Sequence, residues 1–269
     1  MAGSRGFKPI RCFVVSLTIL SSLAAAAWCQ DAKWLPRQRT HGWARFRLGA
    51  WKKVRVHNAT FDEDGQRVRS STTITRTRVT RLGRRSFSLS VSTIVNAAGQ
   101  RFASEPQVIT KELAPHVVSS EVLRTDTVTI NDQQYPAQVI ELVTKNGTTR
   151  ETSTLYYSPG TTPSILKRIT SSVDTEAPEV ETSTVVKVDE LDKERVVLGK
   201  TLSTWSLTTT IKKPNRRVTI QEIHSEDIPG EVVSQVIEEH DADGKLTSRK
   251  EVELLGYGCG RRRLFQRRR

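Results

Sequence analysis

The sequence predicts an all-β fold, a large curved antiparallel sheet (a half-barrel or open barrel) built from long hairpins with little helix. The first observation is strict alternation, as where Phe87, Leu89, Val91 and Val95 alternate with the serines at positions 86, 88, 90 and 92. Alternation is typical of a strand with one buried face, and it favours antiparallel pairing because parallel strands are covered on both faces. The second observation is the abundance of Thr and Val, whose branched side chains suit a pleated surface.

Turn-forming pairs between the alternating segments are the third observation. Asp64-Gly65, Asn146-Gly147 and Asp243-Gly244 tolerate the positive φ that tight hairpins require, and Ala98-Gly99 and Pro159-Gly160 mark two more turns. Residues 111–123 are the best helix candidate, although Pro115 interrupts them. The pattern predicts strands at residues 51–61, 66–82, 86–95, 127–130, 134–144, 148–157, 164–172, 182–191, 202–212, 217–224, 231–240 and 245–255.

The amino terminus has the layout of a secretory signal peptide. An apolar run over residues 13–27 follows a leader that carries Arg5, Lys8 and Arg11, and small residues come next. We predict a signal peptide over residues 1–29, with cleavage after Ala27 or after Cys29, and therefore an extracytoplasmic protein (periplasmic, cell envelope or secreted). A lipid-modified Cys29 is the alternative, which a large Trp just before it disfavours.

The domain organisation follows from these elements. We predict one β domain over residues 30–255 and a disordered Arg-rich tail over residues 256–269. The alternative is that the domain consists of two similar halves that meet near residues 113–126. Cys12 leaves with the signal peptide. Cys29 and Cys259 either pair in an oxidising compartment or, if cleavage follows Cys29, leave Cys259 as a lone thiol.

Charge is distributed unevenly along the chain. Residues 31–112 carry 17 basic and 6 acidic side chains, whereas residues 113–260 carry 16 basic and 23 acidic ones. The two halves are therefore electrostatically complementary and could attract each other, within one molecule or between molecules. The alternative is that two solvated surfaces merely differ in sign.

A resemblance to uncharacterised secreted bacterial β-rich proteins rests on an ordered set of segments. These are Thr127-Val-Thr-Ile130, Tyr135-Pro136, Leu155-Tyr-Tyr-Ser-Pro-Gly160, Ile165-Leu-Lys-Arg168 and, at the start, Leu48-Gly-Ala-Trp-Lys-Lys-Val54. Such proteins are similar to the half-barrel of periplasmic lipoprotein carriers, in which a curved sheet wraps a hydrophobic groove. The resemblance covers about half of the chain and implies a fold rather than an activity. Ala137 stands where the relatives often have a cysteine.

Motifs for catalysis and metal binding are missing from the sequence. There is no Gly-x-Ser-x-Gly turn and no Gly-rich phosphate loop. His224 and His240 lie among acidic residues, but without the three defined ligands that zinc requires. The segments 62–65 and 241–244 begin like calcium loops but lack the later ligands, so hairpin turns explain them better. We therefore expect no enzyme activity, no cofactor and no metal.

Aromatic and basic residues interleave over residues 34–55. Such a segment can bind single-stranded nucleic acid or seat a protein at an anionic lipid interface. The signal peptide argues against nucleic acid as a partner. We favour a third interpretation, in which Trp43, Phe46, Leu48 and Trp51 fill the core while the cations remain solvated.

Two functional hypotheses follow. In the first, the protein binds a lipid or another hydrophobic ligand in a half-barrel groove, whose candidate lining residues are Phe87, Leu89, Val91, Trp205, Leu207 and Ile211. In the second, a structural or adaptor protein binds an anionic membrane, an envelope polymer or partner proteins through basic surfaces. The candidate anion-binding tail residues are Arg261, Arg262, Arg263, Arg267, Arg268 and Arg269. The sequence leaves the oligomeric state open.

Overall fold

The all-β prediction is confirmed in a computed structural model, which describes residues 41–97, 99–113, 116–176 and 181–260. Fourteen strands form one antiparallel sheet, and the described residues include no helix. None of them therefore forms a helix long and apolar enough to cross a membrane. The strands are β1 (Trp51–Phe61), β2 (Arg67–Leu82), β3 (Ser86–Ala97), β4 (Gln100–Ala103), β5 (Gln107–Glu112), β6 (His116–Ile130), β7 (Gln133–Asn146), β8 (Thr149–Tyr157), β9 (Ile165–Asp174), β10 (Glu181–Val197), β11 (Lys200–Lys213), β12 (Arg216–His224), β13 (Val232–Asp241) and β14 (Leu246–Gly258).

The sheet is not closed, but its two edges are joined through the chain. The strand order is β4-β3-β2-β1-β14-β13-β12-β11-β10-β9-β8-β7-β6, with β5 beside β4 on the outer edge of β3. Strand β1 pairs with β14 and so joins the amino-terminal hairpins to the rest. Only three residues separate the end of β5 from the start of β6. Because an extended chain spans at most about 3.6 Å per residue, the two edges lie within about 14 Å of each other there.

The Asp-Gly turns have the hairpin geometry that the sequence predicts. Asp62 Oδ1 accepts hydrogen bonds from the amides of Asp64 and Gln66 at 3.1 and 2.8 Å. Asp241 Oδ1 does the same with the amides of residues 243 and 245, at 3.0 and 2.9 Å. Gly65 and Gly244 both have positive φ. The two calcium-like segments are therefore two copies of one turn, at the tips of the neighbouring β1–β2 and β13–β14 hairpins.

Residues 111–123, the best helix candidate in the sequence, form no helix where the structure describes them. Lys111 belongs to β5, where it pairs with Phe87, and β6 pairs with β7 from His116 onward. The spacing of apolar residues here fits both the period of a helix and that of a strand, and the Val and Ser side chains of β6 favour a strand. The predicted strand at 127–130 is thus only the end of a 15-residue strand. The short strands β4 and β5 had no predicted counterpart.

The carboxy-terminal strand extends beyond its predicted end at Leu255. Strand β14 continues to Gly258, which pairs with Trp51 on β1. The glycines at 256 and 258 do not loosen the strand, because the Trp51 side chain lies over them. A Cβ on Gly258 would lie 2.6 Å from Trp51 Nε1, and one on Gly256 would lie 3.5 Å from the same ring. Gly258 therefore provides space for the indole, whereas a methyl group at position 256 would only touch it.

Among the described residues, four separate apolar clusters, rather than one core, stabilise the sheet. At one end, Phe87, Leu89 and Val79 pack beneath Trp43 of the 41–50 segment. At the other end, residues of β6, β7, β9 and β10 share a cluster that includes Leu166. Smaller clusters lie on β7–β8 and around the β10–β11 hairpin.

Several predictions fall outside the described residues. The signal peptide, Cys29 and the arginines of the tail all lie in residues 1–40 or 261–269. Cys259 is an exposed thiol whose Sγ atom lies 3.9 Å from the carbonyl oxygen of Asp227. Whether it pairs with Cys29 stays a prediction.

Candidate functional site

The six candidate groove residues share one face of the sheet. Following the strand register from β3 to β11 places Phe87, Leu89 and Val91 on the same side as Trp205, Leu207 and Ile211. We call this side, which also carries Val56, the inner face, and the opposite side the outer face. The groove hypothesis requires the six residues to lie on one side of the sheet, and the strand register meets this requirement.

The two ends of this candidate set are filled by side chains. Phe87 and Leu89 are buried beneath the 41–50 segment. Trp205 is buried and stacks on His224, with ring centroids 5.4 Å apart. The remaining three residues, Val91, Leu207 and Ile211, are half-buried.

The middle of the inner face is polar. Buried threonines occupy it on β2, β3 and β11, at positions 73, 75, 93 and 209. Glu222 and Gln235 are buried beside them, joined by a hydrogen bond of 2.5 Å from the Gln235 amide. A purely hydrophobic ligand would therefore meet hydrogen-bonding groups at the centre of this face, where unpaired polar groups are costly.

A buried ionic cluster lies where β1, β12 and β13 meet the 41–50 segment. Lys52 Nζ donates to the carbonyl oxygen of Val232 at 3.2 Å and lies 5.6 Å from the centre of the Trp43 ring. Burial lowers the pKa of the Lys52 ammonium to about 8, although the carboxylates of Glu222 and Glu231 act in the opposite direction. Burial likewise raises the pKa of the Glu231 carboxyl, against the effect of Arg45. Desolvation thus outweighs charge pairing at both groups.

This cluster fastens the 41–50 segment to the β12–β13 loop. Arg45 pairs with Glu226 at 2.8 Å and with Glu231 at 3.4 Å. The Gly230 amide donates to the Gly42 carbonyl oxygen at 3.2 Å. Glu226, one of the acidic residues that follow His224, therefore serves as a partner of Arg45. Within the described ranges, no group of three or more metal-binding side chains is placed to hold an ion.

The aromatic and basic segment divides between the two faces. Trp43 is buried, as the core interpretation predicts, whereas Leu48 is 56% exposed. Trp51 lies on the outer face, opposite to Lys52, with the guanidinium carbon of Arg76 4.8 Å from its ring centre. The core interpretation is therefore confirmed for Trp43 and wrong for Leu48 and Trp51. Because Val54 and Val56 are the apolar positions of this alternating strand, alternation alone would have placed Lys52 on the inner face with them and Trp51 on the outer face.

A basic surface covers the outer face of β1 and β2. By register it carries Lys53, Arg55, Arg76, Arg78 and Arg81, and we call these five residues the basic face. Among the described residues, only Arg55 of the five has an ion-pair partner, Glu253 at 3.1 Å. The other four side chains are exposed. The cations are close enough to repel one another, which is a cost that an anionic partner would relieve.

A depression of about 390 Å³ lies within this surface. It is lined by Trp51, Lys53, Ile74, Arg76, Ser92 and Ile94. These residues occupy adjacent outward positions on β1, β2 and β3. The depression combines an aromatic ring and two isoleucines with two cations.

Comparisons with known proteins identify no family. No family model matches the chain, and no curated protein sequence does. Among solved structures, a "putative lipoprotein" from Parabacteroides distasonis is 11% identical, with a TM-score of 0.31, over 77% of this chain and 95% of that chain. A "putative exported protein with YmcC-like fold" from Bacteroides fragilis is 9% identical, with a TM-score of 0.28, over 79% of this chain and 99% of that chain. Similarities this small carry no argument about function.

Proposed function

We propose that this chain is an exported, non-enzymatic protein of the cell envelope that binds anionic envelope components through the basic face. The observation that supports this most is the presence of four exposed cations without ion-pair partners among the described residues, on two adjacent strands. Export is supported by the signal-like amino terminus alone.

The energetics favour a surface that acts collectively. Each Lys or Arg near an anionic membrane contributes about 1 kcal/mol, so the four unpaired cations together give weak, reversible binding. Exposed charges are screened within about 10 Å at 0.1 M salt, so the binding must fall steeply as salt rises. The arginines of the tail, at residues 261–269, would add to this attraction.

Vesicle co-sedimentation tests the proposal. The chain is mixed with vesicles of phosphatidylglycerol and phosphatidylcholine, or of phosphatidylcholine alone, at low and high salt. We expect binding only to the anionic vesicles and only at low salt. The double variant Arg76→Gln/Arg78→Gln should bind about thirtyfold more weakly, because two contributions of about 1 kcal/mol are lost.

The matched control removes the same charge elsewhere. Lys212 and Lys213 are exposed at the end of β11, so Lys212→Gln/Lys213→Gln changes net charge equally. Equal losses from the two double variants, or binding that persists unchanged in high salt, would contradict the proposal.

A second candidate function is binding of a hydrophobic ligand on the inner face. The observation in its favour is that Val91, Leu207 and Ile211 share that face and are only half-buried. Native mass spectrometry of the purified chain, followed by solvent extraction, would detect a bound lipid. A chain that carries none, and takes up none when incubated with fatty acid, would count against this candidate.

A further inference from the structure

We infer that the depression on the basic face is a binding site for one phospholipid of net negative charge, with its phosphate at Arg76 and Lys53 and its apolar portion on Trp51, Ile74 and Ile94. This inference rests on the proposed function, and it adds a defined site and ligand class to a surface that otherwise attracts anions without selection.

The apolar floor is built by neighbouring strands. Ile74 and Ile94 are cross-strand partners on β2 and β3, and both are half-buried. Trp51 lines the same depression from the side of β14, where its ring lies next to Gly258 and Gly256. The two isoleucines keep part of their apolar surface in water. An apolar part of a ligand that covers them removes this surface from water, which is favourable.

The cations define what else the ligand must carry. Arg76 lies over the Trp51 ring at 4.8 Å, and this contact with the ring orients its guanidinium group at the edge of the depression. Lys53 is the cross-strand partner of Arg76, so the two positive groups flank the same floor. Arginine donates two parallel hydrogen bonds to phosphate oxygens, and lysine adds a point charge.

The combination favours a lipid over other anions. A soluble anion such as inorganic phosphate would leave the floor uncovered, and a neutral lipid would leave the two cations unpaired. The volume of about 390 Å³ falls within the range of about 300–1,000 Å³ for small-molecule sites. That size suits a headgroup and the adjoining part of one chain, while the remainder of the lipid stays in its membrane.

Titration calorimetry with short-chain lipids tests the site. The purified chain is titrated with dihexanoyl phosphatidylglycerol below its micelle concentration, then with dihexanoyl phosphatidylcholine, glycerol phosphate and inorganic phosphate. We expect saturable one-to-one binding of the first, and at least tenfold weaker binding of the other three. The choline cation of phosphatidylcholine would be repelled by Arg76 and Lys53, and the two small phosphates have no apolar part to cover the floor. Arg76→Gln should weaken binding about tenfold, because a charge-assisted hydrogen bond is lost.

Arg69→Gln is the matched control. Arg69 is exposed on the same strand, seven residues from Arg76, so the variant loses the same charge about 23 Å away. It should bind the lipid as the unaltered chain does. Trp51→Leu should weaken lipid binding at least threefold. In the unaltered chain, the NMR signal of the Trp51 indole proton should shift when the lipid is added.

Two results separate this inference from the proposed function. If anionic vesicles bind but the short-chain lipid does not saturate, or if Arg76→Gln and Arg69→Gln lose equal affinity, the site is overturned while the basic face stands. If neither vesicles nor the short-chain lipid bind, the proposed function fails as well.

Discussion

The two ends of the sheet cover their apolar inner surfaces in different ways. At the β2–β3 end, a separate segment over residues 41–50 lies across Phe87 and Leu89, with Trp43 as its largest buried side chain. At the β6–β10 end, the sheet covers itself, because Val128 on β6 and Val188 on β10 pack in one cluster although their strands are not neighbours.

The two covers differ in how firmly backbone hydrogen bonds hold them in place. A strand in the sheet is held by two ladders of backbone hydrogen bonds. The 41–50 segment has few, such as the bond from Gly49 N to Val79 O at 2.9 Å and that from Val79 N to Ala50 O at 2.8 Å. It depends instead on one buried indole and on the ion pairs of Arg45. We therefore expect the β2–β3 end to be more sensitive to single substitutions in its cover.

The largest expected effect is that of Trp43→Ala. It should lower the free energy of unfolding by about 3–5 kcal/mol, because a fully buried aromatic side chain is removed. It should also expose Arg45 and Arg47 to trypsin under native conditions, since the segment loses its main contact. Urea unfolding and limited proteolysis measure the two effects.

Leu166→Ala is the counterpart at the self-covered end. Leu166 is fully buried on β9, so we expect a loss of about 2–5 kcal/mol without new cleavage at Arg45 or Arg47. If both variants open the same trypsin sites, the two ends are one cooperative unit and the contrast between them is wrong.

Much of the fold can be predicted from the sequence because alternation is a local property. It locates the strands, and it shows which face of its own strand each of Phe87 and Leu207 occupies. The strand register then shows that the two residues share one face of the sheet. It fails at residues 107–123, where the apolar spacing fits both helix and strand and where pairing partners decide. The ionic cluster is equally non-local, since the Glu222 carboxylate is near enough to influence Lys52 only because β1, β14, β13 and β12 are adjacent. The close packing of Trp51 against Gly258 also depends on the β1–β14 register, which the sequence does not reveal.

The next effect is a pH dependence that originates in Lys52. Its pKa is about 8 in the folded chain and about 10.4 in an unfolded one. Between these values only the unfolded chain holds the proton, so the free energy of unfolding must increase as pH rises. The free energy of unfolding of the unaltered chain should therefore rise by about 2 kcal/mol relative to that of Lys52→Met from pH 8 to pH 10.

Urea unfolding at the two pH values measures this change. Lys53→Met is the control, because Lys53 is exposed on the opposite face of the same strand. A difference that stays constant with pH for Lys52→Met, or one that changes equally for Lys53→Met, would show that burial of Lys52 does not destabilise its charged form.

The smallest effect concerns the paired member of the basic face. Arg55 and Glu253 are both exposed, so Arg55→Gln should change the free energy of unfolding by less than about 1 kcal/mol. Because Glu253 already neutralises Arg55, this variant should weaken vesicle binding less than Arg78→Gln does. Equal losses would mean that position on the surface matters and local pairing does not.

Lysine labelling tests the central claim most directly, because it uses the unaltered chain. The rates at which Lys53 and Lys212 react with an amine-selective reagent are measured by mass spectrometry, with and without phosphatidylglycerol vesicles at low salt. Lys53 lies on the basic face and Lys212 at the exposed end of β11. We predict that the vesicles slow labelling of Lys53 and leave Lys212 unchanged. Equal protection of both residues, or protection of Lys212 alone, would contradict the assignment of binding to the basic face.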